Sequence, residues 1–294
     1  MLKGSTPTVR GMLWMAAAGA LFTLLNATMK KLALEIDSWL VGFLRYLLGG
    51  MIMLAPALHL GARELWPKVP KLQLARGLFH FAGMIFWFAA LPIVTLAELT
   101  AIGFSGPIFI CLGAVLFLSE RMTGARWVAI LVGFAGVLLV VNPFSGGFSG
   151  ISKGMLLMLA SVPLFAASYL VAKAQTRYER SDIMVLWQHL LVSLGMLPFA
   201  LVWWTMPSTS QWVLLVVCGF IGASGHYCLT RSFRVADISA VQSVKFLELV
   251  WAAILGFFMF GTVPAGWTLA GGIVILVSTL WLARRESRVP RAGT

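Results

Sequence analysis

The sequence predicts an all-α integral membrane protein whose ten transmembrane helices form two inverted five-helix repeats. Three observations support this prediction: long apolar runs, basic residues confined to alternate loops, and an internal repeat. Residues of the AVILMFWYC set make up 60% of the 294 positions and charged residues only 11%, whereas a soluble domain carries about 25% charged residues. The apolar residues form runs of about twenty, which is the length that a helix needs to cross roughly 30 Å of hydrocarbon.

Ten apolar runs predict the spanning elements, because a helix satisfies its own backbone hydrogen bonds in lipid. In chain order we expect helices near residues 11–30, 39–60, 73–92, 96–118, 125–142, 154–174, 183–204, 212–232, 238–260 and 265–283. The first run follows Lys3 and Arg10, as in a signal peptide, but it continues past any small-residue cleavage site and is interpreted as a retained helix. Cys111, Cys218 and Cys228 lie in apolar runs without CxxC spacing, so neither a disulfide framework nor a metal site is expected.

The basic residues indicate the topology of the chain. Sixteen Lys and Arg residues fall on the side of the N terminus: Lys3, Arg10, Arg63, Lys68, Lys71, Arg76, Arg121, Arg126, Arg177, Arg180, Arg231, Arg234, Arg284, Arg285, Arg288 and Arg291. The opposite side has three: Lys30, Lys31 and Lys153. The positive-inside rule then places both termini in the cytosol and the protein in the inner or plasma membrane. The net charge of +12 does not indicate nucleic-acid binding, because the basic residues form no contiguous face.

The two halves of the chain resemble each other. The string GMLWMAAAGALF begins at Gly11, GMLLMLASVPLF begins at Gly154, and seven of their twelve positions are identical. Each string opens a group of five helices, and because five is odd, the second group is inserted upside down relative to the first. We expect repeats at residues 1–143 and 152–284, followed by a basic cytosolic tail at 285–294. Inverted repeats are a known transporter architecture with the substrate site near the midplane.

A stretch in the first half resembles a known family. A helix with Pro107 leads into LGAVLFLSERMTGARW, which contains Glu120 and ends at Trp127, and then into GFAGVLLV from Gly133. A proline, an acidic turn, a tryptophan and a glycine-rich helix in this order are similar to the EamA-type members of the drug/metabolite transporter superfamily. The second half keeps three of the corresponding residues, which are Trp267, Gly271 and Gly272. It departs from the pattern at two positions, with Gly261 where the acid and Glu248 where the proline are expected.

The resemblance covers nearly the whole chain and implies both a fold and a function. Helices one, three, four, six, eight and nine are expected to surround a central cavity. The fifth and tenth helices are expected to be peripheral or to form the contact of a homodimer. The implied function is a secondary transporter, and specifically an exporter, of small metabolites such as amino acids by alternating access. Its partners would be a small-molecule substrate and the lipid bilayer.

The ninth helix carries the densest set of polar residues, Gln242, Lys245 and Glu248, within an arc of about 120°. A charge at the centre of a bilayer costs roughly 2.5–3.5 kcal/mol, so each one requires a reason. Lys245 is expected to bind a substrate carboxylate, and Glu248 to bind an amine or carry a proton. The alternative is that the two residues, three positions apart, neutralise each other.

Other cavity candidates lie in the first, third, sixth and eighth helices. His80 and Trp87 share a face of the third helix, with a packed helix interface as the alternative. Asn26 corresponds by the repeat to Tyr169, and such symmetric positions favour a site between the halves. Two further candidates are Tyr227 and Trp14.

Three polar residues are interpreted as structural. His226 shares a face with glycines, which favours close packing of the eighth helix. Arg45 and His189 lie in helices expected to be peripheral, where interhelical bonding or snorkelling is the simpler interpretation.

Two alternatives remain beside a transporter: an integral-membrane enzyme acting on a lipid-linked substrate, and an accessory subunit. The four histidines are scattered singly in the sequence and paired carboxylates are absent, which argues against catalytic residues. The polar face of the ninth helix argues against a purely accessory role. The sequence has no GxxxxGK[ST] loop, so neither ATP nor another cofactor is expected. Substrate, direction and coupling stay open.

Overall fold

The computed structural model describes residues 6–58, 61–90, 93, 102–141, 152–260 and 266–288, and these residues form helices and connecting turns without a strand. We number ten helical segments: α1 Pro7–Ala33, α2 Ser38–Leu58, α3 Pro70–Ala90, α4 Gly106–Leu118, α5 Gly124–Val141, α6 Lys153–Gln175, α7 Ser181–Val202, α8 Thr209–Val235, α9 from Ile238–Val241 through Gln242–Phe246 to Leu247–Phe260, and α10 Gly266–Arg288. The expected fourth helix begins at residue 96, and its part before residue 102 lies outside the described residues.

Local sequence signals explain where several helices begin. The Thr6 hydroxyl accepts a hydrogen bond from the Val9 amide at 3.3 Å, and Pro7 occupies the first helical position of α1. At the start of α8, Ser208 and Gln211 form a reciprocal capping box. These hydrogen bonds satisfy backbone donors that the first turn of a helix leaves without intrahelical partners.

Most of the described helices can cross a membrane. Seven are long and apolar enough, and α4 and α5 are apolar but shorter. The helix α3 has 21 residues, but Gln73, Arg76 and His80 lower its mean hydropathy. We counted Arg76 among the loop residues; in the structure it lies within α3 and is only 1% exposed.

The helices pack with the two-fold relation that inverted repeats require. The helix α1 packs on α8 and α3 packs on α6, while α2 packs on α7 and α5 packs on α10. In the same way, the contact of α4 with α6 corresponds to that of α9 with α1. The contact of α3 with α7 corresponds to that of α8 with α2. Exchanging each helix with the one five places away maps the contacts α2–α7 and α5–α10 onto themselves and every other of these contacts onto its counterpart. The prediction of two inverted five-helix repeats is therefore confirmed.

The loops that carry the basic residues meet on one side of the bundle. The Lys68 amide donates to the Glu179 carboxylate at 2.6 Å, and Arg126 forms ion pairs with Asp237 at 3.1 Å and Glu286 at 2.9 Å. The first helix reaches the same side, because the Ser232 hydroxyl donates to the carbonyl of Gly11 at 2.7 Å. We call this side the basic face. It is formed by the start of α1, the end of α10 and the loop residues 61–69, 119–123, 176–180 and 236–237.

Candidate substrate cavity

The ninth helix is interrupted where the sequence places its polar residues. A 3₁₀ segment, Gln242–Phe246, separates the α-helical pieces Ile238–Val241 and Leu247–Phe260. Stretches of 3₁₀ inside a helix are short and often mark functional hinges, and broken helices build many transporter sites. Lys245 lies in the 3₁₀ segment, and Glu248 lies in the first turn of the piece that follows.

A cavity of about 290 Å³ lies between the two halves, with walls from α1, α2, α3, α4, α6, α8 and α9. Binding pockets for small molecules start at roughly this size. All six helices that the resemblance implies contribute to it. The helix α2 contributes as well, through Arg45 and Tyr46.

The structure brings six of the nine candidate residues together in this cavity: Asn26, His80, Trp87, Tyr169, Lys245 and Glu248. Three candidates lie elsewhere. Gln242 is 1% exposed, and its amide donates to the carbonyl of Ile238 at 3.0 Å. Tyr227 lines a separate pocket. The Trp14 ring meets the Tyr227 ring edge-on, with 6.4 Å between their centroids. The 3₁₀ segment turns Gln242 into the protein while Lys245 faces the cavity.

Lys245 and Glu248 both line the cavity, but no ion pair joins them in the described part of the chain. The Lys245 ammonium lies 5.3 Å from the centroid of the Tyr169 ring, which is within cation–π range. Glu248 lies against α1, where a Cβ atom on Gly19 would be 3.1 Å from the Glu248 Cγ atom. The geometry therefore differs from simple mutual neutralisation of the two charges.

Arg45 is a cavity residue that our interpretation of the sequence missed. Its side chain is 4% exposed, and its guanidinium carbon lies 3.8 Å from the centroid of the Tyr46 ring. Among the described residues, its Nε and Nη1 atoms have no hydrogen-bond partner. We assigned it to interhelical bonding or snorkelling because we expected α2 to be peripheral, whereas α2 packs on α7 and α8. An arginine in the middle of an apolar run was the signal that pointed to it.

Three histidines that are distant in the sequence converge at the cavity wall. The ring of His226 lies 5.6 Å from the ring of His80 and 5.2 Å from that of His189, measured between centroids. The Tyr46 hydroxyl is hydrogen-bonded to Nε2 of His80 at 2.8 Å. His80 and His226 line the cavity, and His189 lies behind them, bonded to the carbonyl of Val185 at 2.9 Å. These three histidines are thus not scattered, although no described group of histidine, cysteine or acidic residues has the arrangement of a metal site.

A buried polar network joins the halves behind the cavity. Arg76 Nη1 and Gln73 Nε2 both donate to the carbonyl of Met184 at 3.2 Å, and Arg76 also donates to the side chain of Gln188. The Ser168 hydroxyl donates to the carbonyl of Arg76 at 3.1 Å. Because buried polar groups are costly when they lack partners, this network fixes α3 against α6 and α7.

Contacts join the two halves at the basic face. The Glu120 carboxylate accepts hydrogen bonds from the Ile238 amide at 2.9 Å, the Ser239 amide at 3.0 Å and the Ser239 hydroxyl at 2.7 Å. The acidic turn of the first half thus caps the start of α9 in the second half, where a negative charge is favourable. Within the second half, Lys173 donates to the carbonyl of Phe233 at 2.8 Å and joins α6 to α8.

Comparison with known proteins supports a transport function. The chain is 32% identical to a riboflavin transporter of Rhizobium johnstonii, over 96% of this chain and 94% of the relative. It is 27% identical to an S-adenosylmethionine uptake transporter of Rickettsia prowazekii, with 95% and 94% of the two chains covered. It is 28% identical to the pseudopaline exporter CntI of Pseudomonas aeruginosa, with 94% and 96% covered.

A solved crystal structure has the same fold, with a TM-score of 0.80 at 19% identity over 94% of this chain and 98% of that one. The relatives are bacterial transporters rather than enzymes, so the chain is a multi-pass protein of the inner membrane that transports small metabolites. The sequence model of the EamA-like transporter family matches residues 9–142 and again residues 152–284. This chain belongs to the EamA-like transporter family.

Proposed function

We propose that the protein exports small zwitterionic, amino-acid-like metabolites that carry a flat or apolar portion. The observation that carries this proposal is the placement of Lys245 and Glu248 in one cavity without an ion pair between them. Two opposite charges that share a cavity without forming an ion pair complement a ligand that carries both charges.

The two charged groups of such a ligand have distinct partners in the cavity. A carboxylate fits Lys245 and Arg45, and an amine fits Glu248. Hydrogen bonds to charged groups contribute about 1.5–3 kcal/mol each, which offsets the cost of keeping these charges within the membrane. The rings of Trp87, Phe165 and Tyr169 line the same space and suit the flat or apolar portion.

We propose alternating access as the mechanism, with the halves at residues 1–143 and 152–284 rocking against each other. The cap made by Glu120 and the ion pair made by Arg126 join these halves on the basic face. In the proposed cycle these contacts break when the cavity opens toward the basic face and form again when it closes there. The broken helix α9 supplies a hinge next to Lys245.

The proposed orientation puts the basic face and both termini in the cytosol. It is tested with single cysteines in a variant that lacks Cys111, Cys218 and Cys228. A cysteine at exposed Ser287 should be protected from an impermeant maleimide added to intact cells, and one at exposed Ser210 should react. The reverse pattern would overturn the orientation. Export as the direction follows the resemblance to amino-acid exporters, and the homodimer through α5 and α10 stays a prediction.

The transport proposal is tested by counterflow into proteoliposomes that contain the purified protein. Candidate substrates are aromatic and aliphatic amino acids, together with S-adenosylmethionine and riboflavin because relatives are named for them. Amino-acid-like compounds should exchange and riboflavin should not. Lys245→Ala and Glu248→Gln should abolish exchange, whereas the control Lys153→Ala, at an exposed lysine outside the cavity, should retain it. Normal exchange by both cavity variants would contradict the site.

Export is tested separately from substrate identity. Cells that overproduce the protein should release more of the exchanged compound than cells that produce Lys245→Ala, and they should tolerate higher external concentrations of it. Faster uptake with unchanged release would contradict the proposed direction.

A further inference from the structure

A second cavity, of about 340 Å³, lies at the basic face and shares no residue with the substrate cavity. It lies between the beginning of α7 and the last turns of α8, and its walls are formed by Arg180, Ser181, Asp182, Tyr227, Arg231 and Arg234. Trp14 adjoins it through an edge-on contact with Tyr227. One sequence-predicted site residue, Tyr227, therefore lines this second cavity, and another, Trp14, lies beside it.

The cavity carries more positive than negative charge. Its one carboxylate, Asp182, is bonded on both oxygens by Arg180, at 3.2 and 2.9 Å. Arg234 donates to the carbonyl of Glu179 at 3.1 Å, which leaves its charge without a compensating acid there. Arg231 has a buried Nε atom with no partner in the described part of the chain, and its guanidinium carbon lies 5.6 Å from the centroid of the Trp14 ring. Neither Arg231 nor Arg234 forms an ion pair with an acid in the part of the chain that the structure describes.

A buried hydroxyl and a helix N-terminus complete the site. Ser181 is only 4% exposed, and its Oγ atom has no hydrogen-bond partner among the described residues. It is the first residue of α7, where the Ile183 amide donates to the Asp182 carboxylate at 3.1 Å and the side chain of the capping residue Arg180 bonds none of the first-turn amides. The N-terminus of a helix is a favourable place for an anion, since its amide groups and its dipole are directed at the ligand. The hydroxyl adds a further donor in the lining of the same cavity.

We propose that this second cavity is a binding site for a phosphate group. Guanidinium forks match phosphate oxygens in pairs, and a tetrahedral anion accepts hydrogen bonds from Arg231, Arg234, Ser181 and the start of α7 together. Its place at the basic face, between helices, is typical of pockets that receive the headgroup of an anionic lipid. A free phosphate-bearing solute has the same chemistry. Occupation of the site holds α7 and α8 together near the loop contacts of Glu179.

The test is the thermal unfolding of the purified full-length protein, because a ligand that binds only the folded state raises its Tm. In uncharged detergent, inorganic phosphate is compared with chloride at equal ionic strength. In nanodiscs, phosphatidylcholine alone is compared with phosphatidylcholine plus phosphatidylglycerol. We expect an increase in Tm of roughly 2–4 °C in at least one arm. An increase with phosphate identifies a free-phosphate site, and an increase with phosphatidylglycerol alone identifies a lipid site.

Variants separate the site from general charge effects. Arg231→Gln and Ser181→Ala should each abolish the increase in Tm, and Arg231→Lys should retain part of it because the charge stays while the fork is lost. The control Arg177→Gln removes an exposed arginine from the same loop outside the cavity and should leave the increase intact. No increase in either arm, or an equal increase in the wild type and in Arg231→Gln, would overturn the proposal. Counterflow of the substrate is a separate measurement, so the two proposals fail independently.

Discussion

The phenyl ring of Phe165 in α6 covers Gly83 in α3 so closely that a Cβ atom on this glycine would lie 2.8 Å from the ring. The other half repeats the contact, because a Cβ atom on Gly225 in α8 would lie 2.9 Å from the ring of Phe22 in α1. Both phenylalanines line the substrate cavity. Each half thus builds part of the cavity wall against a glycine of the opposite half.

We expect Gly83→Ala to destabilise the protein by about 1–3 kcal/mol, because the added methyl group overpacks a site already filled by the Phe165 ring. The measurement is thermal unfolding in detergent. The control is Gly272→Ala in α10, where a Cβ atom would meet nothing within 4 Å, and its Tm should not fall. Adding Phe165→Leu to Gly83→Ala should recover part of the loss. Equal Tm values for the two alanine variants would contradict the close contact.

Removing the carboxylate of Glu120 should also lower the stability of the protein. Glu120→Ala removes the acceptor of three hydrogen bonds at the start of α9, and loss of a helix cap costs about 0.5–2 kcal/mol. Because the cap joins the two halves, the variant should also open more readily on the basic face. Faster labelling of a cysteine at the buried Ser243, whose hydroxyl takes no part in the cap, by a soluble maleimide reports this opening. The control Glu64→Ala, at an exposed acid, should change neither quantity.

The sequence predicts most of the fold because bilayer thickness sets the helix length. The sixth helix was expected near 154–174 and spans Lys153–Gln175. The alternation of charged loops was also sufficient to group the loops on two sides. Arg76 was misassigned because a basic residue near the end of an apolar run has the same sequence pattern whether it faces water or the interior. Its partners, the carbonyl of Met184 and the side chain of Gln188, lie more than a hundred residues away.

The candidate site was less predictable, because periodicity indicates which residues share a face but not which helices meet. The pattern placed Gln242 with Lys245, and the local 3₁₀ geometry separates them. The central position of α2 follows from its packing on α7 and α8, which no local pattern records. For the same reason His80 and His226 look isolated in the sequence. In the structure their ring centroids are 5.6 Å apart.

The hydrogen bond between Tyr46 and His80 is testable by a double-mutant cycle. Tyr46→Phe leaves the buried Nε2 atom of His80 without its partner, so the single variant should lose about 1–3 kcal/mol. His80→Phe removes the other partner. If the bond forms as described, the double variant should be more stable than the sum of the single losses predicts, with a coupling energy of about 0.5–3 kcal/mol. Strict additivity of the three Tm changes would mean that the two side chains do not interact.

Arg45 and Arg76 offer the sharpest contrast, since both are buried arginines of the same bundle, 4% and 1% exposed. Among the described residues the Nε and Nη1 atoms of Arg45 lack partners, whereas Arg76 lacks one only at Nε and donates to Met184 and Gln188. Removing an uncompensated buried charge relieves a desolvation cost, so Arg45→Leu should leave the Tm unchanged or raise it. Arg76→Leu strands the groups that it now satisfies and should lower the Tm.

The effect of Arg45→Leu on transport should differ from its effect on the Tm. If Arg45 binds the substrate carboxylate, Arg45→Leu should raise the KM for counterflow by roughly 10–100-fold, the equivalent of one charge-assisted hydrogen bond of about 1.5–3 kcal/mol. Arg45→Lys keeps the charge and should recover part of the affinity. A stable Arg45→Leu protein that transports with the wild-type KM would show that this arginine does not touch the substrate. If Arg45 is retained for substrate binding, the variant that lacks it should be at least as stable as the wild type and still transport less well.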